Sequence, residues 1–273
     1  MRSAILTIVG CVLTVALPAR AEGLHPFLET GHSLALGGAW QEGDASLRAT
    51  VGDLPEVDVK LKELGVDGRD SSLALEYRWR MSPRWSVSAL LYTFGQSGSR
   101  TVQDEFNYDG IVFEAGVGVD TDIDMDTYIV DLMYSLYRSQ RAELQIGGGI
   151  HALDIDVAIR GRAFVGGADA EVATAANDLL APLPNLRAQA FYDLGRDWGV
   201  LLSAGWLSAS YQDYDGSFTY AHPRIIYAPG EHLGFSLGYQ FMEVDLTYTS
   251  SSRKESEYDV TFTGPTAVIS YRF

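Results

Sequence analysis

The stretch that most constrains this chain is its last sixteen residues, Tyr258 to Phe273. Phe273, Tyr271, Ile269, Ala267 and Pro265 share one face of a period-two strand, while Arg272, Ser270, Thr266 and Gly264 share the other. One face is large and apolar, the other mostly small or polar, so a strand here separates two unlike surroundings. The pattern recurs upstream. Leu73, Leu75, Tyr77 and Trp79 alternate with Ala74, Glu76, Arg78 and Arg80, and Tyr128, Val130, Leu132, Tyr134 and Leu136 again keep one face.

The amino terminus has Arg2, an apolar run from Ala4 to Leu17 and then Ala19-Arg20-Ala21, a small-x-small pattern that predicts a cleaved signal peptide over residues 1–21. A lipoprotein cut before Cys11 is the competing reading, disfavoured because the apolar run continues past it. Removal of residues 1–21 takes away the only cysteine and leaves 18 basic and 36 acidic residues, a formal charge of −18. That balance argues against nucleic-acid partners, whose phosphates attract basic surfaces. No other run approaches the roughly 18 apolar residues of a membrane helix, so a membrane-spanning form of this chain has to be a barrel.

After a lead over residues 22–32, expected in the periplasm, residues 33–273 read as strands joined alternately by short and long connections. Four segments, beginning at Trp85, Ala142, Trp198 and Leu233, share one design. Returning strands follow at Ser71–Met81, Thr127–Tyr137, Pro184–Leu194 and Thr219–Tyr227. A first strand from Ser33 to Gln41, extended toward Thr50, and the terminal strand bring the number to about ten, with eight or twelve as alternatives. An even number puts both ends on one side. In three strands the apolar parity reverses, between Ile150 and Leu153, Trp206 and Leu207, and Phe241 and Val244, which predicts a β-bulge at a common level. Ser82–Arg84, Arg138–Arg141, Gly195–Asp197 and Ala228–His232 read as short turns, and 51–70, 95–121 and 165–182 as long outer loops, the last either a mobile loop or a short helix over the mouth. Aromatics beside the short turns, Trp79, Trp85, Tyr137, Tyr192, Trp198, Tyr227, Tyr271 and Phe273, suit an interfacial girdle.

A terminal aromatic-x-aromatic strand behind a secretion signal resembles the closing strand of bacterial outer-membrane barrels. The patches Gly37-Gly38, Glu63-Leu64-Gly65-Val66, Ser97-Gly98-Ser99-Arg100-Thr101, Ala181-Pro182-Leu183-Pro184 and Asp213-Tyr214-Asp215-Gly216-Ser217 extend that likeness. Together they resemble a family of proteobacterial outer-membrane barrels, broadly similar to small OmpA/OmpW-type transmembrane domains. The resemblance implies an all-β fold, a single antiparallel transmembrane up-and-down barrel in the outer membrane. It also implies that Tyr271 and Phe273 are read by the barrel assembly machinery, that periplasmic chaperones carry the chain, and that lipid and lipopolysaccharide surround it. It carries no active-site motif and no cofactor.

Three groups of residues are candidates for chemistry. Glu76, Arg78, Arg80, Arg187, Arg224 and Arg272 are expected to point inward with Asp131, Glu143, Asp193, Glu243 and Asp245, forming either a salt-bridged plug or a narrow polar pore. Asp120, Asp122, Asp124 and Asp126 put carboxylates on one side of an extended segment, a weak cation motif that lacks the glycine turn and terminal Glu of an EF-hand loop. A solvated acidic outer surface is the alternative. His151 and His222 are the histidines nearest a catalytic pattern. No nucleophile motif of the lipid A deacylase type, nor the acidic and His pairs of omptin proteases, accompanies them, so an enzyme is not expected and a rim hydrolase is the last of the functional alternatives.

Overall fold

The computed structural model describes residues 24–29, 31–51, 58–60, 69–101, 106–108, 111–113, 116–165, 168–211, 214–251 and 254–273. A 3-10 turn, Pro26–Leu28, precedes β1 (Gly31–Val51), β2 (Asp58–Lys60), β3 (Arg69–Arg80), β4 (Trp85–Thr101), β5 (Phe106–Tyr108), β6 (Ile111–Phe113) and β7 (Gly118–Arg138). There follow β8 (Ala142–Val165), β9 (Ala168–Gly195), β10 (Trp198–Tyr211), β11 (Tyr214–Tyr227), β12 (Leu233–Ser251) and β13 (Lys254–Arg272). The main sheet runs β13-β12-β11-β10-β9-β8-β7-β4-β3-β1 with the three-residue β2 appended to β1, and β13 pairs with β1 to close it. The closing ladder is antiparallel from Ser33–Arg272 to Val51–Lys254. The result is a ten-strand up-and-down barrel with no free edge across its apolar belt, the one sheet form that satisfies every backbone group in lipid.

The four short turns lie at one end, together with the start of β1 and the end of β13. The tightest joins β9 to β10. Arg196 and Asp197 both hold positive φ, 52° and 68°, as a two-residue hairpin with right-handed strand twist requires.

Along β7 the even-numbered side chains face outward from Asp120 to Leu136. From Tyr128 to Leu136 they are apolar, which is about the nine to eleven residues of a transmembrane strand. From Asp120 to Asp126 they are all aspartate. The same change falls between Trp40 and Glu42 on β1, Leu91 and Thr93 on β4, Ala152 and Asp154 on β8, and Phe241 and Glu243 on β12. Exposed Trp40, Tyr128, Trp206 and Tyr239 mark this upper boundary, and exposed Trp79, Trp85, Tyr137, Tyr192, Trp198, Tyr271 and Phe273 mark the lower one. Two aromatic girdles around an apolar belt define the exterior of a transmembrane barrel.

The predicted bulges are absent. Pairing is in unbroken register through Ile150–Pro184 and Leu153–Ala181, through Trp206–Thr219 and Leu207–Phe218, and from Ala221–Phe241 to Arg224–Gly238. The strands keep their faces, and the surroundings invert. Above the belt the wall stands in water, so the interior takes the apolar residues, Val119, Met125, Val157, Ile159, Leu207, Val244, Val260 and Phe262, while the outside takes the acids.

Two loop expectations also change. Residues 168–182 belong to β9, which pairs with β8 as far as Val165–Ala168 and forms no helix. Much of 95–121 lies in β4 and β7, and between them the β5–β6 hairpin approaches β1 and β9. Glu63-Leu64-Gly65-Val66, Asp213 and the signal segment lie outside the described residues.

Candidate functional site in the barrel lumen

The segment expected to lead passively into the barrel enters its mouth instead. Leu28 is fully buried against Phe191 and Leu201, and Phe27 stacks on Phe191 at 4.5 Å between ring centroids. The guanidinium of Arg78 lies 3.9 Å over the Phe27 ring and donates from Nη2 to the Phe27 carbonyl at 2.9 Å. Arg138 donates to the Leu28 carbonyl, and Arg272 pairs with Glu29 at 3.4 Å. His25 accepts from the Phe27 amide at 3.1 Å, closing the turn before Pro26. Residues 24–29 thus form a cork in the lower mouth. The proline and two apolar residues of His25-Pro26-Phe27-Leu28 were the available signal, too short to register as an amphipathic element.

Three ion pairs bridge different walls, Arg80–Glu143 at the level of the cork and the other two above it. Arg80 on β3 makes a two-pronged contact with Glu143 on β8, 2.7 and 2.5 Å, and Ser135 on β7 donates to the same carboxylate at 2.5 Å. Arg187 on β9 donates to Asp131 on β7 at 2.8 Å, and Arg224 on β11 reaches Glu76 on β3 at 3.1 Å. Removing these charges from water is costly, and only close pairing with hydrogen bonds to spare oxygens offsets it. Gly149 gives Asp131 its room. A Cβ there would stand 1.8 Å from the Val130 carbonyl and 2.7 Å from Asp131 Oδ1.

Of the residues expected to line the lumen, Glu76, Arg78, Arg80, Asp131, Glu143, Arg187, Arg224 and Arg272 point inward. Asp193 does so at the lower rim, where its Oδ1 accepts the Gly195 amide at 2.7 Å. Glu243 and Asp245 do not. Both are exposed on the outer face of β12, and Asp245 accepts from Ser217 at 2.6 Å. Their inward assignment depended on the bulge, and without it Met242 and Val244 take the interior.

A cavity of about 60 Å³ lies above the Glu76–Arg224 pair, lined by Glu76, Arg187 and Arg224 together with Leu90, Ile129 and Met242. His222 in its wall bonds Thr266 at 2.8 Å and Tyr220 at 3.1 Å, and His151 packs edge-on against Phe218 at 4.3 Å between centroids. The hydroxyls that His222 contacts are a threonine's and a tyrosine's, and among the described residues neither ring is hydrogen-bonded to a carboxylate. Higher still, Phe94 meets Phe262 at 4.6 Å and the upper interior is packed with apolar side chains.

Asp120, Asp122, Asp124 and Asp126 stand on the outer wall above the belt. Asp124 and Asp126 lie opposite Asp156 and Asp154 on β8, and Asp122 is paired with Arg160. Among the described residues no three His, Cys, Asp or Glu side chains are grouped to hold a metal ion.

Fold and exterior define the class: an integral β-barrel of the outer-membrane type. No family model matches the chain, and no curated protein matches it. Solved barrels with a similar form include OprG from Pseudomonas aeruginosa (12% identity over 90% of this chain and 97% of that one, TM-score 0.39). They also include AlkL in DMPC bilayers (14%, 94% and 95%, 0.39) and the toluene transporter TodX of P. putida (10%, 91% and 91%, 0.35). None reaches an identity or a TM-score at which a function transfers.

Proposed function

We propose that this chain is a structural and surface-interaction protein of the outer membrane whose lumen is closed by its own side chains. The observation that carries this reading is the stacking of obstructions along one axis. The cork and the Arg80–Glu143 pair fill the lower mouth, two further ion pairs cross the middle, and apolar side chains occupy the interior above the belt. In this reading residues 1–21 are removed on export and periplasmic chaperones deliver the chain. The assembly machinery recognises Tyr271 and Phe273, and the outer wall meets lipopolysaccharide and whatever lies beyond it.

A second reading, a narrow pore, is favoured by one feature. The cavity above the Glu76–Arg224 pair and another below share those two residues as their boundary, so a single ion pair partitions them. Conductance of the refolded protein in a planar bilayer separates the two, with heat-modifiable gel mobility as the check on folding. A folded, silent barrel is expected. Reproducible single-channel steps would replace the closed-lumen reading with the pore.

A further inference from the structure

The lower cavity has an unusual charge inventory. Its volume is about 70 Å³, and it lies between the cork, which contributes His25 and Phe27, and the Glu76–Arg224 pair. Three arginines line it, Arg78, Arg224 and Arg272, against one lining carboxylate, Glu76. Glu76 is engaged by Arg224, and the partner of Arg272, Glu29, sits at the exposed end of the cork. Arg78 has no carboxylate within ion-pair distance among the described residues, and it contacts the Phe27 carbonyl oxygen and ring face instead. Two guanidinium nitrogens of these lining arginines, Arg78 Nη1 and Arg224 Nε, are buried with no hydrogen-bond partner. Ser33 and Ser236 add hydroxyls to the same wall.

Buried guanidinium N–H groups without an acceptor are costly, and a low-dielectric site with excess positive charge favours an anion. The space exceeds by several-fold the roughly 10–15 Å³ that one water needs on this measure, so it admits a compact polyatomic ion. We propose that this cavity is a binding site for a small oxyanion of the phosphate class. The anion accepts from Arg78 Nη1 and from Arg224, takes serine hydroxyls at its remaining oxygens, and is enclosed from below by the cork. The site goes beyond a structural role, since it gives the periplasmic half of the lumen a specific ligand whether or not the barrel conducts.

The test is calorimetric titration of inorganic phosphate into the folded full barrel, cork included, in a nonionic detergent free of phosphate lipid, with chloride at matched ionic strength as comparison. Saturable binding of one phosphate per barrel is expected, with no equivalent response to chloride. Arg78→Gln removes a charge-assisted donor worth about 1.5–3 kcal/mol, so affinity falls about tenfold or more. Ser236→Asp, which supplies the cavity with its own carboxylate, abolishes binding, and it keeps the question answerable if Arg78→Gln does not fold. Absence of saturable phosphate binding by the unaltered barrel overturns the proposal. So does unchanged affinity in whichever variant folds. Binding that appears only when phospholipid is added would assign the ligand to a lipid headgroup and equally reject an enclosed site for the free ion.

Discussion

Arg80 and Glu143 are both withdrawn from solvent, with side chains 0% and 1% exposed, so each depends on the other for its charge. Replacing one leaves an uncompensated buried ion. Arg80→Ala or Glu143→Ala is therefore expected to destabilise the barrel by about 3–5 kcal/mol, while replacing both with apolar residues of matched volume costs much less. Urea unfolding of the singles and the double, followed by gel mobility, checks this. Additive losses would mean that the two charges are not coupled. At this scale the sequence was readable in part. Alternation on β3 and β7 places Glu76, Arg80 and Asp131 inside, but nothing local reveals that Arg80 meets Glu143, 63 residues away, rather than Asp131. Partner choice depends on strand order and tilt around the barrel, which periodicity does not encode.

The cork and β7 carry the consequences at the level of elements. Burial beside Phe191 lowers the pKa of His25 from its ordinary 6.5, outweighing Asp193 and the backbone and carboxylate of Asp197, which raise it; Arg272 lowers it further. A released cork thus binds more protons than a seated one at acid pH. The contribution of the neutral ring to seating is complete above 6.5 and declines as pH falls below that value. Protection of the Phe27 and Leu28 amides from exchange, taken relative to the intrinsic rate at each pH, should fall as pH drops from about 7 to about 5, and His25→Gln should flatten that dependence. An unchanged profile in His25→Gln would remove the histidine from the mechanism. On β7 the boundary between lipid and water falls between Asp126 and Tyr128. Leu132→Arg, on the same face lower down, should cost about 2–4 kcal/mol in the bilayer, whereas Asp126→Arg should cost about 0–1. Equal losses in lipid-vesicle unfolding would move the boundary. The change in apolar parity at this level was visible in the sequence, yet it has two physical causes with one signature. A slipped register and an inverted environment both swap the apolar face. Only the pairing of Leu153 with Ala181 and of Leu207 with Phe218 separates them.

For the whole molecule, strand number and closure were legible, because short turns, even count and an apolar period of two express the requirement that lipid meets no unpaired edge. The height of the wall was not. Residues 168–182 are rich in alanine with scattered acids, a composition that suits a loop or helix equally well, and only pairing with β8 makes them strand. Closure through β13 and β1 makes the terminal residue a whole-barrel property. Phe273 exchanges backbone hydrogen bonds with His32 at 3.0 Å in both directions and stacks on its ring at 5.6 Å. Deleting Phe273 should lower the amount of assembled barrel in outer-membrane fractions, and normal levels would count against recognition of the closing strand.

One wall passes from lipid into water without changing its faces. Because the only cysteine lies within residues 1–21, single cysteines along β7 from 119 to 136 can carry a spin label, each read for collision with oxygen and with a water-soluble nickel complex. Oxygen contact is expected at even positions from 128 to 136, nickel contact at even positions from 120 to 126, and protection at odd positions throughout. A shift of the accessible set from even to odd between positions 126 and 120 would restore the bulge and show that the wall does change its faces.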